Sequence, residues 1–197
     1  MKPLFRFSAG MLLLAAVASP AAAQDGPRFE LGGFGTFTRY NEALLLDDRI
    51  GGGARLAFHV NRFLGLELEG VYTGPSTVAG NASYGIHLGS ASLVLGGGGR
   101  RFSLYVLGGF SRLDIGTTFP YDYAENGFHG GAGFRIGITD RLALRFDGRG
   151  VFMPDDNLVG STTHLIGSVG LSYFSKPWPG APRREPEEPA RPPIVAV

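Results

Sequence analysis

The chain has 197 residues, is 44% hydrophobic and 12% aromatic, and carries a formal net charge of +1. That near-balance gives no reason to expect nucleic acid as a partner, and the absence of cysteine excludes a thiol nucleophile, a disulfide framework or a cysteine-based metal site. Glycine supplies 32 residues and phenylalanine 15 without a collagen-like period, a combination suited to curved sheets with crowded interiors.

Lys2 and Arg6 form a short positive flank ahead of the apolar run at 11–17. That run is too short to span a bilayer, and Ala21, Ala22 and Ala23 put small residues where a signal peptidase reads. Residues 1–23 are therefore expected to be a cleaved signal peptide, followed by a short segment at 24–27. Loss of Lys2 and Arg6 would turn the net charge from +1 to −1. No later stretch reaches the roughly 20 continuous apolar residues of a membrane helix, but a membrane β-strand needs only about 9–11 with one apolar face.

From residue 28 the dominant pattern is alternation with a period of two. The first strand, 28–40, sets Phe29, Leu31 and Phe37 against Glu30, Gly32, Thr36 and Thr38, with Phe34 as an exception. In the second, 50–60, Ile50, Ala54, Leu56 and Phe58 oppose Gly51, Gly53, Arg55 and His59. The third, 64–73, opposes Leu64, Leu66, Leu68 and Tyr72 to Glu67, Glu69 and Thr73. The fourth, about 84–95, is ambiguous, because His87 falls on the same side as Ala91, Leu93 and Leu95; a bulge near Gly89 would resolve it. The fifth, 101–111, places Phe102, Leu104, Val106 and Phe110 opposite Ser103, Tyr105 and Ser111. The sixth, 128–138, sets Phe134 and Ile136 against His129 and Arg135. The seventh, 142–152, sets Leu144 and Phe146 against Arg145, Asp147 and Arg149. The eighth, 164–174, sets Leu165, Val169, Leu171 and Tyr173 against His164, Ser168, Ser172 and Phe174.

Connections alternate in length: 41–49, 74–82, 112–127 and 153–162 are long, while 61–63, 96–100 and 139–141 are tight turns. Outer-membrane barrels sort their connections this way, with long loops outside and short turns in the periplasm. Tyr40, Tyr72, Tyr84, Phe110, Phe128 and Phe152 lie near the long-loop ends, and Phe63, Phe102, Tyr173 and Phe174 near the other, as two aromatic belts would. Residues 175–197 hold seven of the 13 prolines and read as an extended periplasmic tail.

The predicted fold is all-β: an eight-stranded antiparallel up-and-down transmembrane barrel over 28–174. Its orientation follows from the polar face, which carries Arg55, Glu67, Glu69, Arg135, Arg145, Asp147 and Arg149 but no lysine within the strands. A solvated surface would normally be rich in lysine and glutamate, whereas Arg–carboxylate pairs suit a crowded, desolvated lumen. The turn at 61–63 predicts a register with Arg55 opposite Glu69 and Ala57 opposite Glu67, and Arg135 is expected to reach Asp147 diagonally. These seven residues are the candidate site, read as a plug in preference to an ion gate.

Catalytic, cofactor and metal sites are not expected. The histidines, His59, His87, His129 and His164, are scattered over four strands without a metal-ligating spacing. Neither His87 with Ser90 nor His164 with Ser168 is spaced as a nucleophile and its base, and no acid is placed to orient either histidine. Gly96–Gly99 with Arg100 and Arg101 lacks the Lys-Ser/Thr of a phosphate loop and reads as a turn.

The segments 63–72, 105–110 and 129–149 resemble the OmpA-type family of outer-membrane β-barrel domains, over about 28–174. That resemblance implies architecture more than activity. It further implies that the eighth strand, with Gly170 and Tyr173, is read by the barrel-assembly machinery through 163–174, although Ser175 stands where another apolar residue is usual. The peptidoglycan-binding domain that can follow such a Pro-rich linker is not expected here. The expected partners are outer-membrane lipid, the assembly machinery and an extracellular partner reached through loops 41–49 and 112–127, where Leu44–Leu46 and Phe119–Tyr123 would face outward. A structural or surface-interaction role comes first. Narrow ion-conducting pore, lipid-modifying outer-membrane enzyme and soluble periplasmic ligand-binding barrel are the alternatives.

Overall fold

The structure, a computed structural model, describes residues 27–76, 85–99, 101–115, 123–154 and 160–178. The signal-peptide assignment, Tyr84, residues 119–122 and the tail beyond Trp178 lie outside them. Eight strands follow in chain order: β1 (Arg28–Arg39), β2 (Arg49–His59), β3 (Leu64–Thr73), β4 (Ile86–Gly98), β5 (Phe102–Ile115), β6 (Tyr123–Gly137), β7 (Leu142–Met153) and β8 (Thr162–Phe174). Each pairs antiparallel with its neighbour in sequence, and β1 pairs with β8, which closes the sheet into a barrel. Among the described residues no helix is long and apolar enough to cross a membrane.

Period-two patterning becomes an inside and an outside. Arg55 is 3% exposed while Leu31 on the opposite face is 61% exposed. The β2–β3 register matches the one read from the turn, with Arg55 opposite Glu69 and Ala57 opposite Glu67. Asn61 fixes that turn: its side-chain oxygen accepts from the backbone N–H of Phe63 (2.8 Å) and of Leu64 (2.9 Å). Thr139 repeats the device for Arg141 and Leu142. At the β4–β5 turn Gly98 has φ of 143°, and a Cβ there would stand 2.5 Å from the carbonyl oxygen of Phe102.

Several expectations need correcting. There is no bulge in β4; its register against β3 is continuous from Leu64↔Leu95 to Thr73↔Ile86. His87 does face outward, packed on Tyr72 with ring centroids 5.0 Å apart. The pattern misled because Ile86, Leu88 and Val94 point inward. The connection expected at 112–127 is shorter, since β5 and β6 stay paired out to Ile115↔Tyr123. Tyr72, Phe110, Phe128 and Phe152 at one end, and Phe63, Phe102 and Tyr173 at the other, are outward and exposed. Tyr40 and Phe174 leave the belts, being 6% and 1% exposed.

The long-loop half of the lumen is an apolar core. Phe34, Val71, Ile86, Leu88, Leu113, Val151, Met153 and Ile166 fill it, and Leu46 and Tyr40 descend onto it from the first loop. Leu46 is 7% exposed, so the outward placement expected for it is wrong; Leu45 beside it is 67% exposed. A residual space of about 10 Å³ remains there, at the lower limit for a single water molecule.

Candidate functional site in the barrel lumen

Below the apolar core the lumen holds alternating charge. Asp147 and Glu67 both bond Arg145, whose side chain is 1% exposed. The Glu67 contact is bidentate, Nη1 to Oε2 at 2.5 Å and Nη2 to Oε1 at 3.1 Å. Arg145 also donates to Glu30 at 3.1 Å and to the Tyr105 hydroxyl at 2.7 Å, and its guanidinium lies 4.6 Å from the Tyr105 ring centroid. The Tyr105 hydroxyl in turn donates to Asp147. Arg55 bonds Asp147 at 2.7 Å and approaches Glu69 at 3.5 Å, with its guanidinium 4.1 Å from the Phe34 ring centroid. Arg149 closes the upper end on Glu69 at 2.9 Å.

Glu30 closes the lower end. Its carboxylate accepts from Arg135 (3.1 Å), Arg145 (3.1 Å) and the Ser172 hydroxyl (2.6 Å), and lies 2.7 Å from His59 Nε2. These donors come from β6, β7, β8 and β2, so five strands meet on one carboxylate that is 0% exposed.

All seven residues singled out on the polar face are members of this network, which runs Arg135–Glu30–Arg145, then through Asp147 to Arg55, Glu69 and Arg149, with Glu67 held on Arg145 alone. Four guanidinium groups balance four carboxylates. The eighth member, Glu30, lies on the polar face of β1 but outside the seven residues that the sequence marks as the site. Arg135 does not take Asp147 as partner; it takes Glu30 across the lumen. Arg135 and Arg145 are cross-strand neighbours, and the shared Glu30 offsets their repulsion.

The lower mouth is closed by residues that follow β8. The Ser175 backbone N–H donates to Phe29 O, the Phe29 N–H donates to Ser175 Oγ, and the Trp178 N–H donates to Asp140 O, all at 2.9 Å. Trp178 is 8% exposed and packs on Phe174, on the edge of His59 and beside the guanidinium groups of Arg28 and Arg135. The proline-rich tail thus begins as a lid. Nothing in its composition announces this except the lone tryptophan.

The serine–histidine pairs weighed in the sequence do not come together. His87 faces out while Ser90 faces in. His164 accepts the Asn41 N–H at 3.2 Å, and Ser168 bonds Asp147 at 3.1 Å. The arrangement that does form is His129, with Ser92 on Nε2 and Ser111 on Nδ1, both at 2.8 Å, and Ser90 beyond Ser111 at 2.9 Å. A neutral imidazole donates from one nitrogen and accepts at the other, so two hydroxyls satisfy it. Its 6% exposure gives it no visible substrate access. Cross-strand register was the signal that would have found it: Ser92 and Gly109 are partners, as are Gly109 and His129.

Geometrically, the N-terminal β-barrel domain of Pseudomonas aeruginosa OprF aligns with a TM-score of 0.55 at 16% identity, covering 75% of this chain and 96% of that one. Neisserial surface protein A gives 0.55 at 11% identity, over 76% and 97%. Ail, the attachment invasion locus protein of Yersinia pestis, gives 0.52 at 13% identity, over 76% and 99%. These likenesses share the fold. Among curated proteins no sequence relative is found. Residues 9–172 match the family described as the outer membrane protein beta-barrel domain, and with its closed eight-strand barrel and apolar outer face the chain belongs to that family of outer-membrane proteins.

Proposed function

We propose that this protein is a sealed structural barrel of the outer membrane that presents its long loops at the cell surface and neither conducts ions nor catalyses a reaction. One observation carries the reading: among the described residues the lumen is occupied by Trp178 at one mouth, by a charge-balanced network in the middle and by an apolar core toward the other. An ion entering it would have to separate buried Arg–carboxylate pairs, which costs several kcal/mol per orphaned charge.

The same reading places cleavage of a signal peptide after Ala23, the tail in the periplasm and recognition of 163–174 by the assembly machinery. Contact with an extracellular partner would fall to the connection between β1 and β2, where Leu45 is exposed, and to the shortened connection between β5 and β6. Planar-bilayer recording of the refolded protein tests the seal. The wild type is expected to be silent, with Glu69→Ala and Arg55→Ala leaving it so. Steady unitary currents from the wild type, altered by either variant, would establish a pore instead.

A further inference from the structure

At the lower mouth the ion-pair network leaves two polar atoms unmet. Three contacts hold the Arg135 guanidinium in place. Its Nη2 donates to Glu30 at 3.1 Å, and its central carbon lies 4.2 Å from the Tyr105 ring centroid and 5.4 Å from that of Trp178. Its Nε–H is buried and bonds no protein atom among the described residues. Ser103, its cross-strand partner on β5, is 2% exposed. The Ser103 hydroxyl oxygen is likewise buried without a protein partner. Orphaned polar atoms at this depth are costly, so each calls for a partner that the side chains do not supply.

Both residues line the same space. A cavity of about 10 Å³ lies among Ser103, Arg135, Asp140, Ala143, Phe174 and Trp178. That volume is at the lower limit for a single water molecule. The cavity of equal size at the other mouth gives the contrast. Its walls are mainly apolar, and the Tyr40 and Thr73 hydroxyls there bond each other. Space alone is therefore not a site; space shared by two unmet polar atoms is.

We propose that one ordered water molecule is bound in the lower cavity and trapped there by Trp178. It accepts from the Arg135 Nε–H and donates to Ser103 Oγ. Its second hydrogen goes to a carboxylate oxygen of Asp140, because an ionised carboxylate accepts several bonds. Three polar partners are typical of a buried water. A halide or a phosphate is too large for this volume, and the Arg135 charge is already paired with Glu30, so the ligand is small and neutral. The water joins the lid to the network, since the Trp178 N–H donates to Asp140 O at 2.9 Å and Arg135 binds Glu30. Trp178 thereby closes over a guanidinium without orphaning it, and the water exchanges with bulk only when the lid lifts.

A high-resolution crystal structure of the refolded full mature chain tests this. One density peak is expected within hydrogen-bond distance of both Arg135 Nε and Ser103 Oγ, and none in the cavity at the other mouth. A bromide soak should leave that peak without anomalous signal. Ser103→Val removes one partner and fills the space, and should expel the peak. Oxygen-17 relaxation dispersion in lipid nanodiscs reads the lid. Trp178→Ala, or Trp178→Leu should the first fail to fold by heat-modifiable gel mobility, is expected to lose one long-lived water relative to the wild type. The proposal is overturned by the absence of the peak, by an Arg135 Nε–H bonded directly to a protein oxygen, or by bromide at the site. Retention of the long-lived water without the tryptophan overturns it too. Should Ser103→Val fail to fold, the wild-type density and the bromide soak still decide. A conducting barrel that holds this water refutes only the sealed-barrel reading; a silent one without it refutes only this inference.

Discussion

Removing Arg145 separates the role of pairing from that of packing. In Arg145→Met the apolar part of the side chain is largely kept and the guanidinium lost. Glu30 retains Arg135 and His59, and Asp147 retains Arg55. Glu67 loses the one cation that pairs with it among the described residues, and is left at 2% exposure with an unpaired charge. Orphaning one member of a buried pair costs about 3–5 kcal/mol, which is a large share of the roughly 5–15 kcal/mol that holds a typical domain folded. Arg145→Met with Glu67→Met removes the orphan together with its cause, so most of that loss should return, leaving about 1–2 kcal/mol for the hydrogen bonds Arg145 made to Tyr105 and Asp147. Urea unfolding in lipid vesicles measures both variants. Trp178, the chain's single tryptophan, reports by fluorescence, and heat-modifiable mobility confirms that the barrel, not only its lid, has opened. A double variant as unstable as Arg145→Met would refute the reasoning, because the penalty would then belong to lost packing and not to an uncompensated carboxylate.

Gly131→Ala should prevent assembly, since its Cβ would stand 2.3 Å from Gly148 O, whereas Gly130→Ala next to it should fold normally; the heat-modifiable fraction after refolding into vesicles distinguishes them. Trp178→Ala is expected to lower stability by about 3 kcal/mol through loss of its packing on Phe174 and His59, read by the midpoint of gel mobility against urea. Leu46→Asp puts an unpaired charge into the apolar mouth, and should release the first loop for cleavage at Glu42 by a glutamate-specific protease while the barrel stays intact.

Alternation made the barrel legible, because a strand between lipid and lumen must change chemistry at each residue. Alternation cannot say which apolar residues face in. Ile86, Leu88 and Val94 obscured β4 for that reason. Phe34 broke the β1 pattern because it lies inside, beneath the Arg55 guanidinium. The charged members of the site were visible as lysine-free polar positions, but their partners were not. Neighbouring-strand reasoning gave Arg135 to Asp147, whereas a narrow cylinder brings β6 and β7 within arginine's reach of β1. Trp178 was hidden by its context, since a proline-rich stretch carries no period to show where it turns back.

The position of Glu30 bears on how the barrel is made. It sits on the first strand, and its hydrogen-bond partner Ser172 sits on the last, 142 residues away. Arg135 and Arg145 also arrive late in the chain. Until the eighth strand docks on the first, that carboxylate has His59 as its one early neighbour, and it would be costly to bury. A partly assembled sheet in the bilayer is thus penalised at its opening strand, and the penalty lifts only when the ends meet. Glu30 is thus a carboxylate whose full set of partners exists only in the closed barrel.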